Sequence, residues 1–437
     1  MQMKNNIYND IILKSSMFNY KMYSDDNMMI YNSYKGMHSI LYVCKESRDK
    51  VEELLTATNV IYNSEDPVLV KLYKSGYLVP IDCDEKSIRE KVRIDMVSEG
   101  TLNLVIHTTD ACNFRCRYCY MDFGHTIMPV DVQDKIISFV AKNLIICTGV
   151  SISWFGGEPL LGLDVISNMS RQIISICKKA KKPYHASITT NGYLLTPEVF
   201  QKLLDCKVTT YTITIDGLKD LHDQYRTLRG GEGSFDRIIQ NLIHIRDFNK
   251  SCALRVYIRT NVTCKFINCI DQYIEYYQAL FGRDKRFGFF IRPVDNWGGE
   301  RVNSIATELI SYDVVGEIYR RISQVRHSLN FLPALSALNK GGATCSAHCK
   351  NKYTIGVNGL ISKCDEADSG DGNLAIGNIF ENLNIIDENL HSKWLYSGSL
   401  NKTDCEDCFY SIPCLMGCCS KYTVLSGERA CPLNYKS

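Results

Sequence analysis

TTDACNFRCRYCYMDFG, residues 108–124, puts Cys112, Cys116 and Cys119 within eight positions of one another. Three thiols at the spacing CxxxCxxC are one ligand short of what a tetrahedral metal or a cubane cluster requires. Zinc would recruit a fourth ligand at a matched spacing, such as a second CxxC pair or a histidine. His107 falls within a predicted strand, which leaves His125 as the nearer candidate. An iron–sulfur cubane with three cysteines instead leaves one iron open to an exchangeable ligand. An open metal position is a mark of catalysis rather than of structure.

The residues around this stretch set its context. Strand-like runs LNLVIHTT, VSISWF, HASITT, TTYTITI, LRVYIRTNV and RFGFFIR lie between residues 102 and 292. Between them stand helix-like runs: VQDKIISFVAKNLI, VISNMSRQIISICKKA, PEVFQKLLD, SFDRIIQNLIHIRDF and NCIDQYIEYYQAL. Such alternation predicts parallel strands with crossover helices. Six units suit an open or partial α/β barrel better than a closed eight-fold one. Polar or glycine-rich features follow the strands in turn: the cysteine loop, Gly156–Pro159, Thr190–Gly192, Asp216–Gly217, Asn261 and Arg292. The carboxyl ends of such strands form the active face.

The chain has 437 residues, a net charge of +2 and 45% hydrophobic content, which suits two or three globular domains. Its near-neutral charge gives no case for nucleic acid or an anionic membrane as partner. No apolar run approaches the roughly 20 residues that cross a bilayer. The polar start MQMKNNIYND has no secretory core, so the chain reads as cytosolic. A reducing compartment argues against reading the 20 cysteines as disulfides, and their clustering argues for metal. Nine of the 20 lie beyond residue 340, in a loop-rich segment too poor in apolar runs to fold without metal.

CxxxCxxC after the first strand, with Tyr118 just before the last cysteine, resembles the radical S-adenosylmethionine (SAM) superfamily. The resemblance implies that the open iron chelates the amino and carboxylate groups of the methionine moiety. FGGEP is similar to the superfamily's second signature and implies a cofactor-binding role for Gly156, Gly157, Glu158 and Pro159, with Asn191 in the next loop. Glycines there would allow close backbone approach, and Glu158 would help seat the amino group. ITIDG with HDQYR suggests Thr214 and Arg226 near the ribose and carboxylate.

The C-terminal spacing, Cys349–x9–Gly359–x4–Cys364, then Cys405–x2–Cys408–x5–Cys414–x3–Cys418, then Cys431, resembles the seven-cysteine SPASM pattern. By resemblance it binds two auxiliary [4Fe–4S] clusters, for three in all. Cys345, Cys349, Cys364 and Cys418 would hold one; Cys405, Cys408, Cys414 and Cys431 would hold the other. Cys419 directly follows Cys418, so either is a candidate ligand. Cys345 lies outside the signature, and without it the first auxiliary cluster has an open iron. A pair of zinc ribbons is the plainer alternative. Asp365 follows Cys364 where sulfatase-maturing relatives carry a proposed base; otherwise it is a solvated loop acid.

The fold expected is therefore α/β. Residues 96–330 form a partial (β/α)6 radical SAM barrel and residues 331–437 a loop-rich SPASM domain. Residues 1–95 resemble a small winged-helix module that recognises a leader peptide by strand addition. The expected activity is maturation of a ribosomally made precursor peptide, forming thioether cross-links with electrons from flavodoxin or ferredoxin. Carbon–carbon cross-linking and epimerisation are close alternatives, and a formylglycine-generating sulfatase maturase is the runner-up. A non-catalytic iron–sulfur carrier or zinc scaffold would need neither GGEP nor the series of strand-end features.

Overall fold

The computed structural model describes residues 11–427 except 25–26, 37–38, 99, 250–252, 297–299, 325–338, 340–343, 366–373, 382–386, 397–404, 406 and 415–418. Two compact units emerge, and they do not follow chain order. One comprises residues 1–98, 335–348 and 395–437; the other comprises 99–334 and 349–394.

In the first unit, β1 (Ile12–Ser15) pairs antiparallel with β5 (Val60–Ile61) and β6 (Leu78–Pro80). A second three-stranded sheet runs β2 (Asn19–Ser24), β3 (Asn27–Asn32), β4 (Leu41–Val43). Helices α1 (Lys45–Thr56), α2 (Pro67–Lys74) and α3 (Glu85–Val97) complete the N-terminal part. α2 starts where the sequence dictates: the Asp66 carboxylate caps the amides of Val68 and Leu69, and Pro67 needs no partner for its nitrogen. Leu13, Met28, Ile30, Leu54, Leu69, Leu72 and Leu78 form the shared core of this part.

The second unit is built on one nine-stranded sheet in the order β12-β11-β10-β9-β8-β7-β13-β14-β15. Strands β7 (Thr101–His107), β8 (Gly149–Phe155), β9 (Tyr184–Thr190), β10 (Val208–Thr214), β11 (Arg255–Val262) and β12 (Phe287–Pro293) are all parallel to their neighbours. Between them run α4 (Val130–Asn143), α5 (Leu163–Ala180), α6 (Pro197–Asp205), α7 (Lys219–Tyr225) with α8 (Phe235–Asp247), and α9 (Ile270–Phe281). The six strands form an open array, the partial (β/α)6 arrangement expected from the alternation. β13 (Lys352–Ile355) joins the other edge parallel to β7, and β14 (Leu360–Ser362) and β15 (Gly377–Asn378) extend it as an antiparallel meander.

The two faces of the strands differ because side chains alternate. Leu102, Leu104, Ile106, Val150, Ile152, Trp154, Ile188, Tyr211, Ile213, Val256 and Ile258 are buried outward, under the helices. α5 answers with Val165, Ile166, Met169, Ile173 and Cys177 at helical spacing. Each such side chain contributes about 2 kcal/mol of burial, which fixes the strand register. The inner positions Ser153, Thr189, Thr212, Thr214, Arg259 and Asn261 are polar instead, and they line a cavity.

Candidate active site

The cavity has a volume of about 380 Å³ and opens at the carboxyl ends of the parallel strands. Cys112, Cys116 and Cys119 line it, together with Gly156, Gly157, Glu158, Asn191, Thr214, Arg226 and Asp365. Pro159, the remaining expected cofactor residue of the second signature, is buried behind it at the start of a short 3-10 turn.

The cysteine loop is held by backbone pairing rather than by regular structure. Its outgoing limb binds the segment after α7: the amides of Arg115, Arg117 and Arg229 donate to Thr227, Tyr225 and Asn113 at 2.9, 3.0 and 2.8 Å. Its incoming limb binds the second signature, where Gly157 and Glu158 amides donate to Thr109 and Ala111 carbonyls at 2.9 and 2.8 Å. This contact explains the glycines. Gly156 has φ of +136°, and a Cβ on Gly156 or Gly157 would overlap the carbonyl oxygens of Thr109 or Ala111. Their first requirement is thus close approach to the cysteine loop.

Glu158 fastens the second loop to the third. Its carboxylate accepts from Thr190 Oγ1 at 2.6 Å, the Asn191 amide at 2.8 Å and the Leu160 amide at 3.1 Å. Burial pushes its carboxyl upward, opposed by these three donors. Asn191 Nδ2 in turn donates to Asn113 Oδ1, inside the cysteine loop, at 2.8 Å.

A second network centres on the Tyr118 hydroxyl. It donates to Asp216 and accepts from Arg226 Nη1 at 2.7 Å and Asn261 Nδ2 at 3.1 Å. The other Asp216 oxygen accepts the Asn261 amide at 2.9 Å. Burial raises the Asp216 carboxyl, while the nearby Arg226 charge pulls it down. His222 supports Arg226 from behind: its Nε2 meets Ser234 Oγ at 3.0 Å, and Ser234 Oγ donates to the Arg226 carbonyl at 2.7 Å. Tyr118, Asp216 and Asn261 each stood out in sequence, as an aromatic beside a cysteine and as strand-end residues. Their convergence needs the register between β10 and β11.

Asp365 is more than a solvated loop acid. It pairs with Lys352, which is 3% exposed, and accepts from Thr354 Oγ1 at 2.8 Å, so β13 presents its carboxylate to the cavity. Arg292, the sixth strand-end feature, does not line the cavity; it is exposed, and Pro293, Val294 and Asp295 stand there instead. His107 lies in β7, fully buried, with both ring nitrogens unpartnered among the described residues.

The remaining cysteine ligands of the expected set divide between the units. In the second unit, Cys349 and Cys364 flank the β13–β14 hairpin, and the Cys349 carbonyl accepts Lys363 Nζ at 2.5 Å. In the first, Cys345 neighbours Cys419 closely enough to help raise its thiol, although burial is the larger cause. Cys405 and Cys414 are buried and Cys408 half-buried; the Cys405 carbonyl accepts Arg89 Nη1 at 3.0 Å. Cys418 and Cys431 lie outside the described residues.

Whether the three cavity cysteines suit a cluster follows from their chemistry. None of the three is in a disulfide, and burial raises Cys112 to about 12 and Cys116 to about 11. Thiolates in such a place need a bound cation to offset desolvation. Three cysteines on one loop, all lining the cavity, are a donor set that a cluster with three protein ligands would fit.

Comparison with known proteins agrees. Residues 106–265 match the model of the Radical SAM superfamily. Two uncharacterized relatives match in part: one of Synechocystis, 29% identical over 155 residues, and one of Methanocaldococcus jannaschii, 27% identical over 192. The matches cover 34% and 42% of this chain but only 39% and 60% of those relatives. A cysteine-type anaerobic sulfatase-maturating enzyme of Clostridium novyi is 22% identical over 342 residues, covering 72% of this chain and 87% of the relative. Among solved structures, anSMEcpe with bound AdoMet and Cp18Cys peptide has a TM-score of 0.56 at 17% identity, covering 72% of this chain and 88% of that one. Streptococcus suis SuiB bound to precursor peptide SuiA has a TM-score of 0.50 at 17% identity, covering 96% and 97%. At these identities the two structures speak for the fold. The superfamily implies a [4Fe–4S] cluster and S-adenosylmethionine, for which the cavity supplies three thiols and a polar wall: the chain carries a radical SAM domain over residues 106–265.

Proposed function

We propose that the chain is a SPASM-type radical SAM maturase of a ribosomally made peptide, and that it joins a cysteine sulfur to a carbon as a thioether. The observation that carries this reading is the extent of the match to SuiB, a chain solved with a precursor peptide. It covers 96% of this chain, whereas the match to anSMEcpe covers 72%. The larger coverage favours a role for residues 1–95 in holding a leader peptide, with residues 96–330 as the catalytic barrel. Residues 331–437 would hold two auxiliary clusters through the cysteines named above. Flavodoxin or ferredoxin would supply electrons.

When bound, the cluster and co-substrate supply a 5′-deoxyadenosyl radical that removes hydrogen from an unactivated carbon. The chain's residues do the rest. Cys112, Cys116 and Cys119 would hold the cluster; Gly156, Gly157, Glu158, Asn191, Thr214 and Arg226 would seat the co-substrate, with Pro159 supporting the second loop from behind. Joining S–H and C–H as S–C releases two hydrogens: one leaves as the abstracted atom, the other as a proton and an electron. Asp365, fixed by Lys352 and Thr354, is the base for that proton. The C-terminal cysteines named above would hold auxiliary clusters, which would provide an acceptor for the electron.

The second reading, a formylglycine-generating sulfatase maturase, is favoured by the Clostridium novyi relative and the anSMEcpe fold. Mass spectrometry on cysteine-containing peptides, incubated with reduced holoenzyme and S-adenosylmethionine, separates the two. Loss of two hydrogens and of a free thiol supports thioether formation. Replacement of the thiol by a hydrazine-reactive aldehyde supports the second reading and overturns the first.

A further inference from the structure

Among the described residues that line the cavity, two carry a guanidinium: Arg226 and Arg259. Arg226 is the one assigned above to the co-substrate. It is 6% exposed, donates to the Tyr118 hydroxyl and lies over the Phe114 ring at 5.6 Å. Arg259 differs. It projects from the inner face of β11, opposite Thr214 in the register with β10, and is only half-buried. Its Nε donates to Asn261 Oδ1 at 2.8 Å, which orients the fork. Its two Nη groups make no hydrogen bond or ion pair among the described residues.

Four acids line the cavity, and none bonds to its Nη groups among the described residues: Glu158 is taken by Thr190 and two backbone amides, Asp216 by Tyr118 and the Asn261 amide, and Asp365 by Lys352 and Thr354, while Asp295 is the fourth. A half-buried guanidinium on a cavity wall, with its Nη donors open, is available to a ligand's oxygens. A guanidinium with Nε already fixed presents parallel N–H donors suited to the two oxygens of a carboxylate.

We propose that Arg259 is a specificity-determining residue that receives a carboxylate of the substrate peptide, from an Asp or Glu side chain beside the residue being modified. This rests on the reading that the substrate is a peptide. The other source of a carboxylate is the co-substrate, whose methionine moiety the reading assigns to Arg226. An Arg259 that served the co-substrate would be a second clamp on the same group.

The test uses anaerobically prepared full-length holoenzyme with two probes, N-acetylglutamate methylamide and the uncharged isostere N-acetylglutamine methylamide. Binding is followed by saturation-transfer NMR with and without saturating S-adenosylmethionine. The expected result is binding of the glutamate probe that persists with S-adenosylmethionine present. The glutamine probe should bind at least about tenfold more weakly, as expected for loss of a charge-assisted pair. Arg259→Gln should weaken the glutamate probe by a similar factor, and Arg259→Lys should restore part of it. Equal binding of the two probes to the parent enzyme overturns the proposal without any variant. So does displacement of the glutamate probe by S-adenosylmethionine, which would hand Arg259 to the co-substrate. Failure of the underlying reading shows separately: a reduced enzyme that forms no 5′-deoxyadenosine refutes the maturase, whatever the probes do.

Discussion

Replacing Tyr118 by Phe removes one oxygen and leaves the ring. That oxygen donates to Asp216 and accepts from Arg226 and Asn261, and both charged partners are at least nine-tenths buried. Hydrogen bonds to charged groups are worth about 1.5–3 kcal/mol each. Asp216 keeps the Asn261 amide, and Arg226 keeps the field of Asp216, so the net loss is about 3 kcal/mol rather than the sum. The loss should fall locally, because Tyr118 ties the cysteine loop to β10 and β11. The amides of Arg115 and Arg117, bonded to Thr227 and Tyr225, report that opening. Hydrogen exchange followed by mass spectrometry should show these amides exchanging about 100-fold faster in Tyr118→Phe. Amides of Val256 and Ile258, inside β11, should be unchanged. Combining Tyr118→Phe with Asp216→Asn should add little, since the two share one bond. Unchanged exchange at Arg115 and Arg117 in a folded variant would refute the view that this hydroxyl holds the loop.

Three further outcomes follow from the same geometry. Gly157→Ala should displace the cysteine loop, since its Cβ would meet the Ala111 carbonyl; purified protein should lose iron in proportion to one cluster, and full iron content would contradict the close-packing account. Lys352→Met removes a buried ammonium that serves Thr354, the Lys363 carbonyl and Asp365. The loss should be about 2 kcal/mol in urea unfolding, moderated because Asp365 is 38% exposed. Burial lowers His107 from 6.5 to about 4. Below pH 6.5 the unfolded chain therefore binds a proton that the folded chain refuses. Stability falls with pH by up to about 1.4 kcal/mol per unit, and no such loss occurs above pH 6.5. His107→Phe should flatten the decline of Tm between pH 6.5 and 5, and an identical slope would show that His107 does not carry it.

The barrel was legible in the sequence because its signals are local. Alternation in VSISWF and the helical spacing of Val165, Ile166, Met169 and Ile173 each need only neighbouring residues, and β8 and α5 formed there. Cys112, Cys116 and Cys119 were likewise found by spacing alone. Pairing between distant segments left no such trace. β13 lies beside β7 although Lys352 and Asn103 are far apart in sequence, so the C-terminal segment read as loops. β5, at two residues, is too short to show a period. The Tyr118 node and the Lys352–Asp365 pair depend on registers that only the folded sheet sets. Arg259 sat unremarked within LRVYIRTNV because an arginine in a strand reads as a solvent-facing residue, whereas here the inner face is a polar cavity.

The central claim is that Cys112, Cys116 and Cys119 hold a cluster that cleaves S-adenosylmethionine. The direct measurement is 5′-deoxyadenosine formed after anaerobic reduction, in the parent and in a Cys112/Cys116/Cys119→Ala variant that keeps its C-terminal cysteines. The parent should form product and the variant none. No product from the parent, or equal product from both, would contradict it.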